Sequence, residues 1–191
     1  MKHLILCVAF IASVVAGNSK AMELKLDSDL SRVSFATIKL QYIVEPASIS
    51  GLTGQLDASG KVDVNIPLGN IQTGIDIRNQ RLNDLFFNSK LYPSASVSVQ
   101  LPKTLLSDGQ VVKQMDLGAR VRLFGTEKTL TFKVNVVKTG DIIAVSTVQP
   151  TIVSGSTFGI PSANLAALAK TVGGIGISDT VPVTFSLVFK A

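Results

Sequence analysis

Three arrangements in this sequence could carry chemistry. Asp27, Asp29 and Glu45 could supply a carboxylate pair for hydrolysis. Ser154-Gly155-Ser156 sets a hydroxyl on each side of a glycine. Arg78 stands before Asp84 and the adjacent pair Phe86-Phe87, and its planar fork of donors suits an anionic or quinone headgroup. The first two gain no support from a second motif. Charges at strand ends are ordinarily solvated. The Ser-Gly-Ser segment lacks the flanking pattern of a nucleophile elbow, and catalysis there would need a base. For Arg78 and Asp84 the plainer role is structural, tying a helix to the end of the fold.

The base is missing because of where the histidine lies. His3 and Cys7 are the only His and the only Cys, and both sit in the first residues. Lys2 and His3 make a basic start, Leu4 to Ala16 is apolar except for Ser13, and Ser19-Lys20-Ala21 offers small residues at −3 and −1. That is the layout of a secretory signal peptide, with an apolar run too short to span a bilayer comfortably. A buried N-terminal helix would need neither the basic start nor the small-residue exit. Cleavage is expected after Ala21, with a cut near Gly17 as the alternative. Cys7 comes too early for lipoprotein acylation. Residues 1–21 are therefore read as a signal peptide, 22–191 as one mature domain, and the periplasm as its destination.

Export would remove every thiol and imidazole, so no catalytic residue, metal ligand or cofactor is expected. Removing Lys2 and Lys20 from 18 basic residues leaves 16 against 13 acidic, a net +3. Such a balance favours anionic surfaces weakly and does not indicate nucleic acid.

The elements that must position any site read as strands. Charged residues make up 16% of the chain, below the usual share of about 25%; aromatics are few and Trp is absent, so the apolar content lies in Val, Ile, Leu and Ala, a mix that suits strands. Period-two alternation marks Val33-Phe35-Thr37, Val62-Val64-Ile66, Ala95-Val97-Val99-Leu101, Leu117-Ala119-Val121-Leu123, Leu130-Phe132-Val134-Val136 and Val181-Val183-Phe185-Leu187-Phe189. Ser59-Gly60, Ser107-Asp108-Gly109, Gly125 to Lys128 and Thr139-Gly140-Asp141 punctuate them as turns. Many short strands at this spacing point to a sandwich or a barrel. Two segments have helical spacing. One runs from Arg78 to Lys90, with Leu82, Leu85 and Phe86 on one face and Tyr92-Pro93 ending it. The other runs from Ser162 to Thr171, with Ser162 as its cap. Lys103, Lys113, Arg120, Arg122, Lys128, Lys133 and Lys138 give the middle hairpins a basic bias, which reads as the solvated face of a sheet or a meeting place for lipid headgroups.

Several segments, in order along the chain, resemble the YceI-like family. They are Ser31-Arg32-Val33-Ser34-Phe35, Gly51-Leu52-Thr53-Gly54-Gln55-Leu56, and Val121 to Lys128 with its Gly turn. Ser156-Thr157-Phe158-Gly159-Ile160 follows, with Thr157 where the family carries Asp. The most specific block is Ile71-Gln72-Thr73-Gly74, then Arg78, Leu82, Asp84, Phe86-Phe87 and Lys90-Leu91-Tyr92-Pro93. The family's His-Leu-Gly is not recognisable around Leu40-Gln41-Tyr42, and the Ala/Leu helix replaces a shorter connection.

The resemblance implies an all-β fold, an antiparallel lipocalin-like β-barrel with one or two short helices. It also implies an exported binding protein holding a long apolar lipid, of polyisoprenoid or isoprenoid quinone type, as carrier or reservoir, with passing membrane contact. The expected ligand-binding residues are Phe35, Arg78, Leu82, Leu85, Phe86, Phe87, Phe124, Phe132 and Phe158, with the entrance at the Arg78–Phe87 helix. The competing reading is a secreted stress-response or interaction module whose barrel is filled by its own side chains. Neither reading specifies an oligomeric state.

Mass spectrometry of the exported protein checks the processing. The expected product begins at Met22, or near Gly17, and a mature form retaining Cys7 would refute export by this route.

Overall fold

The structure, a computed structural model, describes residues 23–107 and 109–191. The signal-peptide reading of residues 1–21 lies outside them, as does Asp108 of the expected Ser107-Asp108-Gly109 turn.

Alternating apolar residues produce the strands β1 (Leu24–Leu26), β2 (Arg32–Lys39), β3 (Ile43–Ile49), β4 (Thr53–Leu56), β5 (Lys61–Pro67), β6 (Ile71–Gln72), β7 (Ser94–Gln100), β8 (Val111–Leu123), β9 (Thr126–Thr139), β10 (Ile142–Thr147), β11 (Thr151–Ser154) and β12 (Thr180–Lys190). The order β1-β4-β5-β7-β8-β9-β10-β12 returns to β1 and closes an eight-stranded antiparallel barrel. Of the two architectures the alternation allows, this is the barrel. β12 is long enough to meet two strands on each edge, with β10 and β11 along one and β1 and β2 along the other. From that second edge β2, β3 and β6 continue the sheet.

Local chemistry sets the breaks. Between β1 and β2 the Asp27 carboxylate accepts the backbone N–H groups of Asp29 and Leu30, a turn that Asp forms readily. The Lys190 ammonium lies 2.5 Å from the same carboxylate and, with those N–H groups, holds it below the usual carboxylate range. Between β8 and β9 the turn is Phe124-Gly125, both with positive φ, as a two-residue hairpin demands. It falls earlier than the Gly125–Lys128 spacing suggests, and Thr126 already pairs with Leu123.

Both helices differ from their expected form. The first is an α-turn, α1 (Asp76–Arg81), running on as a π-turn over Leu82–Phe86 and ending before Asn88, whose φ is +47°. The second, α2 (Ser162–Lys170), opens with Ser162 as its first helical residue rather than its cap. Pro161 precedes it, and no side chain caps the end.

The alternating apolar sets all face inward. At one end of the barrel they pack tightly, with Leu24, Leu56, Leu101, Leu105, Val136, Ile143 and Phe189 each at most 2% exposed. Lys138, expected on a solvated face, points into this end instead. It is buried, and its ammonium donates to the Ser107 carbonyl at 2.7 Å. Period two places it with Phe132, Val134 and Val136, and the hydrogen bond offsets part of its desolvation.

β4 and β5 approach closely at Gly54. A Cβ there would stand 2.5 Å from the Asp63 carbonyl oxygen and 3.1 Å from the Val64 Cα, both backbone atoms. Gly54→Ala is therefore expected to destabilise the barrel by roughly 1–3 kcal/mol. Thermal unfolding checks it, at about 2–4 °C of Tm per kcal/mol.

Candidate functional site

The interior is not filled. A cavity of about 230 Å³ runs along the barrel, lined by the inward residues of its strands. This removes the reading of a barrel packed by its own side chains. The reason lies in residue size. Eleven of the lining positions are Val, with Val62, Val64, Val97, Val99 and Val121 among them, two are Ala95 and Ala119, and no Trp is available. An eight-stranded barrel is just wide enough for large side chains to fill, so small ones leave room.

The cavity is graded along its length. Toward the tightly packed end its walls are Leu52, Val62, Leu101, Val134 and Phe189, all buried. At the other end Phe35, Thr37, Phe86, Phe87, Ile177, Ser178, Val181 and Val183 are only half-buried. That second end is the mouth. There the β2–β3 hairpin, the α1–π segment, α2 and the stretch Ile177–Asp179 converge.

The π-turn decides which helical side chains reach the cavity. In an α-helix, residues three and four apart share a face, which would group Leu82 with Leu85 and Phe86. A π-turn widens the repeat, and here the Phe87 N–H reaches the Leu82 carbonyl, five residues back, at 2.9 Å. Leu82, Phe86 and Phe87 then share the inward face, while Leu85 leaves it. The two rings meet edge to face at 4.8 Å. Phe86 also lies against Gly155, where a Cβ would stand 2.9 Å from its ring. The glycine of Ser154-Gly155-Ser156 thus serves close packing. Asn164 of α2 donates to the Phe86 carbonyl at 2.9 Å and fastens the two helices together.

Of the nine expected ligand-binding residues, Phe35, Leu82, Phe86, Phe87, Phe132 and Phe158 line the cavity, and Leu85, Arg78 and Phe124 do not. Phe124 occupies the β8–β9 turn, its ring 4.3 Å from that of Tyr92. Arg78 does not pair with Asp84. Its guanidinium lies 2.9 Å from Glu45 on β3, and Lys39 meets the same carboxylate oxygen at 2.7 Å. Arg78 therefore ties α1 to the β2–β3 hairpin. The trio Asp27, Asp29 and Glu45 forms no site, because Asp27 pairs with Lys190 and Glu45 with these two cations.

Sequence reasoning did not single out Val145 of β10, Leu165 and Leu168 of α2, Ile177 or Asp179, all of which line the cavity. The alternation of Ile143 and Val145 was a usable signal for the first, whereas nothing local marks Asp179. Its carboxylate accepts the Ser154 hydroxyl at 2.7 Å, the Ser156 N–H at 3.2 Å and the Thr180 hydroxyl at 3.0 Å. The Ser154 hydroxyl first, and then Ser156, lower its pKa to about 2. No Lys or Arg lines the cavity among the described residues, and they hold no cluster of three His, Cys, Asp or Glu suited to a metal ion. No described helix is long and apolar enough to cross a membrane.

A family model described as YceI-like domain matches residues 24–189. A polyisoprenoid binding domain from Saccharophagus degradans, implicated in plant cell wall breakdown, is 26% identical with a TM-score of 0.81, covering 90% of this chain and 99% of that one. BcnA of Burkholderia cenocepacia is 17% identical with a TM-score of 0.65, covering 85% of this chain and 98% of its own, a likeness of fold. No curated protein matches the chain.

Asp179 fastens the Ser154–Ser156 loop to the mouth, so this attachment is expected to weaken in acid. A carboxylate with a depressed folded pKa contributes stability that is full above its unfolded pKa and lost as pH falls through the folded one. For Asp179 that window runs from pH 3.8 down to about 2. Across it the wild-type Tm is expected to fall more steeply than that of Asp179→Asn, which cannot titrate there. Circular dichroism melts at closely spaced pH values check the difference.

Proposed function

The chain belongs to the YceI-like domain family, and from that membership and its cavity we propose that it binds one long apolar lipid of polyisoprenoid type inside the barrel. The observation that carries the reading is an almost wholly hydrocarbon-lined channel, packed shut at one end and less buried at the other. Water entering it would meet few polar partners, and cavities of this kind stay dry and accept apolar guests. The Saccharophagus degradans domain, described as polyisoprenoid binding, aligns over nearly its whole length and supports the same ligand class.

The energetics favour exchange over permanent capture. Burying a hydrocarbon chain yields about 0.8 kcal/mol per methylene relative to water, so some 15 carbons give roughly 12 kcal/mol. Association costs about 4–15 kcal/mol against that. A long lipid's real alternative is a bilayer, where its chain is already out of water, so most of the gain cancels. Such a protein is a carrier or reservoir rather than a trap, and an isoprenoid quinone is a ligand of the same chain chemistry. The site needs no reacting group, so binding without catalysis is the reading adopted. Export to the periplasm fits it, since a lipid crossing water between membranes needs cover.

Organic extraction of protein purified from its native host is expected to release a stoichiometric prenyl lipid, and an empty extract would overturn the proposal. Phe86→Ala or Phe87→Ala, folded by circular dichroism, is expected to weaken lipid retention by roughly 1–3 kcal/mol for the lost apolar contact. Arg78→Leu is expected to leave retention near wild type, because the guanidinium is engaged with Glu45 and does not line the cavity.

A further inference from the structure

The tip of the β2–β3 hairpin carries its apolar residues outward. Leu40 and Gln41 both have positive φ, at +51° and +66°, a left-handed conformation uncommon for residues other than Gly. The turn ends in Tyr42, 82% exposed, followed by Ile43 and Val44, with Val44 59% exposed. Successive strand residues point to opposite faces, so exposure of both Ile43 and Val44 means that the tip stands clear of the barrel on both sides. Ile75 and Ile77, beside Arg78, are exposed as well. Arg78 reaches Glu45, so the helix start adjoins the hairpin. The Leu40 N–H donates to the Gly176 carbonyl, and Lys39 bridges to Ile177, a lining residue of the mouth. The exposed apolar rim and the cavity entrance are therefore one region.

We propose that this rim, led by Leu40, Tyr42, Ile43 and Val44, is the surface with which the protein docks on a phospholipid bilayer. Three features favour a bilayer over a folded partner or a second copy. The tip is convex and apolar on both faces, which suits insertion into a soft surface better than a flat self-complementary contact. Behind it, the cations Lys39 and Arg78 are balanced by Glu45 and by Asp76 at the helix start, so the docking rests on the apolar rim rather than on net charge. Pro46 takes a backbone donor out of β3 and so opposes pairing of that strand with another chain. A Tyr at the apex suits the bilayer interface, with an apolar ring and a wet hydroxyl. The proposal takes its purpose from the lipid-binding reading, since a mouth facing the bilayer lets a chain pass without crossing water. The docking itself rests on the rim.

The test uses a single reporter thiol. In a Cys7→Ser background, Tyr42→Cys and, separately, Val112→Cys carry an environment-sensitive fluorophore. Val112 is 81% exposed, on the β8 end near the packed base of the barrel. Vesicles of phosphatidylcholine doped with phosphatidylglycerol are expected to shift the label at 42 to the blue and to leave the label at 112 unchanged. The triple variant Leu40→Ser, Tyr42→Ser, Val44→Ser, folded by circular dichroism, is expected to partition onto these vesicles at least about tenfold less. It should keep its lipid on extraction, because none of the three residues lines the cavity. Equal shifts at both positions, or none at either, overturn the proposal. A shift at 42 produced by raising protein concentration without vesicles also overturns it and makes the tip a self-contact. A protein that yields no lipid but shows the shift at 42 alone would refute the lipid-binding reading and leave the docking surface standing.

Discussion

Closure of the barrel through β12 is the constraint on which the rest depends. Eight strands fix an interior width, and β12 holds that width by bonding to β10 and β11 on one edge and to β1 and β2 on the other. Once the ring is closed the walls cannot move in to fill a gap, because each strand's position is set by its neighbours' hydrogen bonds. Side-chain volume alone then decides whether the interior is solid or hollow. Val and Ala at the middle positions make it hollow, while Leu24, Leu56, Leu101, Leu105 and Phe189 make one end solid.

A hollow barrel gives up contacts that a packed one would have. Phe35, Phe86, Phe87, Val181, Val183 and Phe185 are apolar, point inward and remain half-buried. Each forfeits part of the dispersion and transfer energy a full core would supply. Stability must come from the ladder and the packed base, which is where the β8–β9 hairpin contributes thirteen consecutive residue pairs. This division of labour leaves the mouth free to be built from a π-turn, a short helix and a loop held by Asp179, elements with few deeply buried groups. Segments of that kind open locally at lower cost than core strands, which is what entry of a long chain would require on the proposed function.

Much of the fold was legible because strand periodicity is a local signal. Each alternating set read from the sequence faces the interior, and the inward residues of β12 follow that pattern without a break from Val181 to Phe189. The site was legible only in part, for reasons that can be named. Leu85 leaves the helix face because the chain widens into a π-turn, which residue types alone do not announce. Glu45 and Arg78 are far apart in sequence, so their ion pair depends on topology rather than spacing. Phe124 looked like a core aromatic but occupies a left-handed turn position that Asn or Asp fills more comfortably. Asp179 sits in an apolar and Gly-rich neighbourhood and finds its partners only when β11 pairs with β12.

These placements bear on how such a site would choose its ligand. The fork-shaped donor that could clamp a phosphate or a quinone oxygen is bound to Glu45 outside the cavity, and no cation lines the cavity among the described residues. The one charged group that does line it, Asp179, is ionised at ordinary pH and already accepts three hydrogen bonds, so it has little capacity left for a headgroup and would repel an anionic one. On the proposed function, recognition therefore rests on the chain rather than the head. On that reading the channel would select by cross-section and by the length its packed base allows, and the headgroup would stay at the mouth near Lys39 and Arg78. A site of this design tolerates a range of headgroups on one kind of tail, as expected where binding is made of apolar area with few directional bonds.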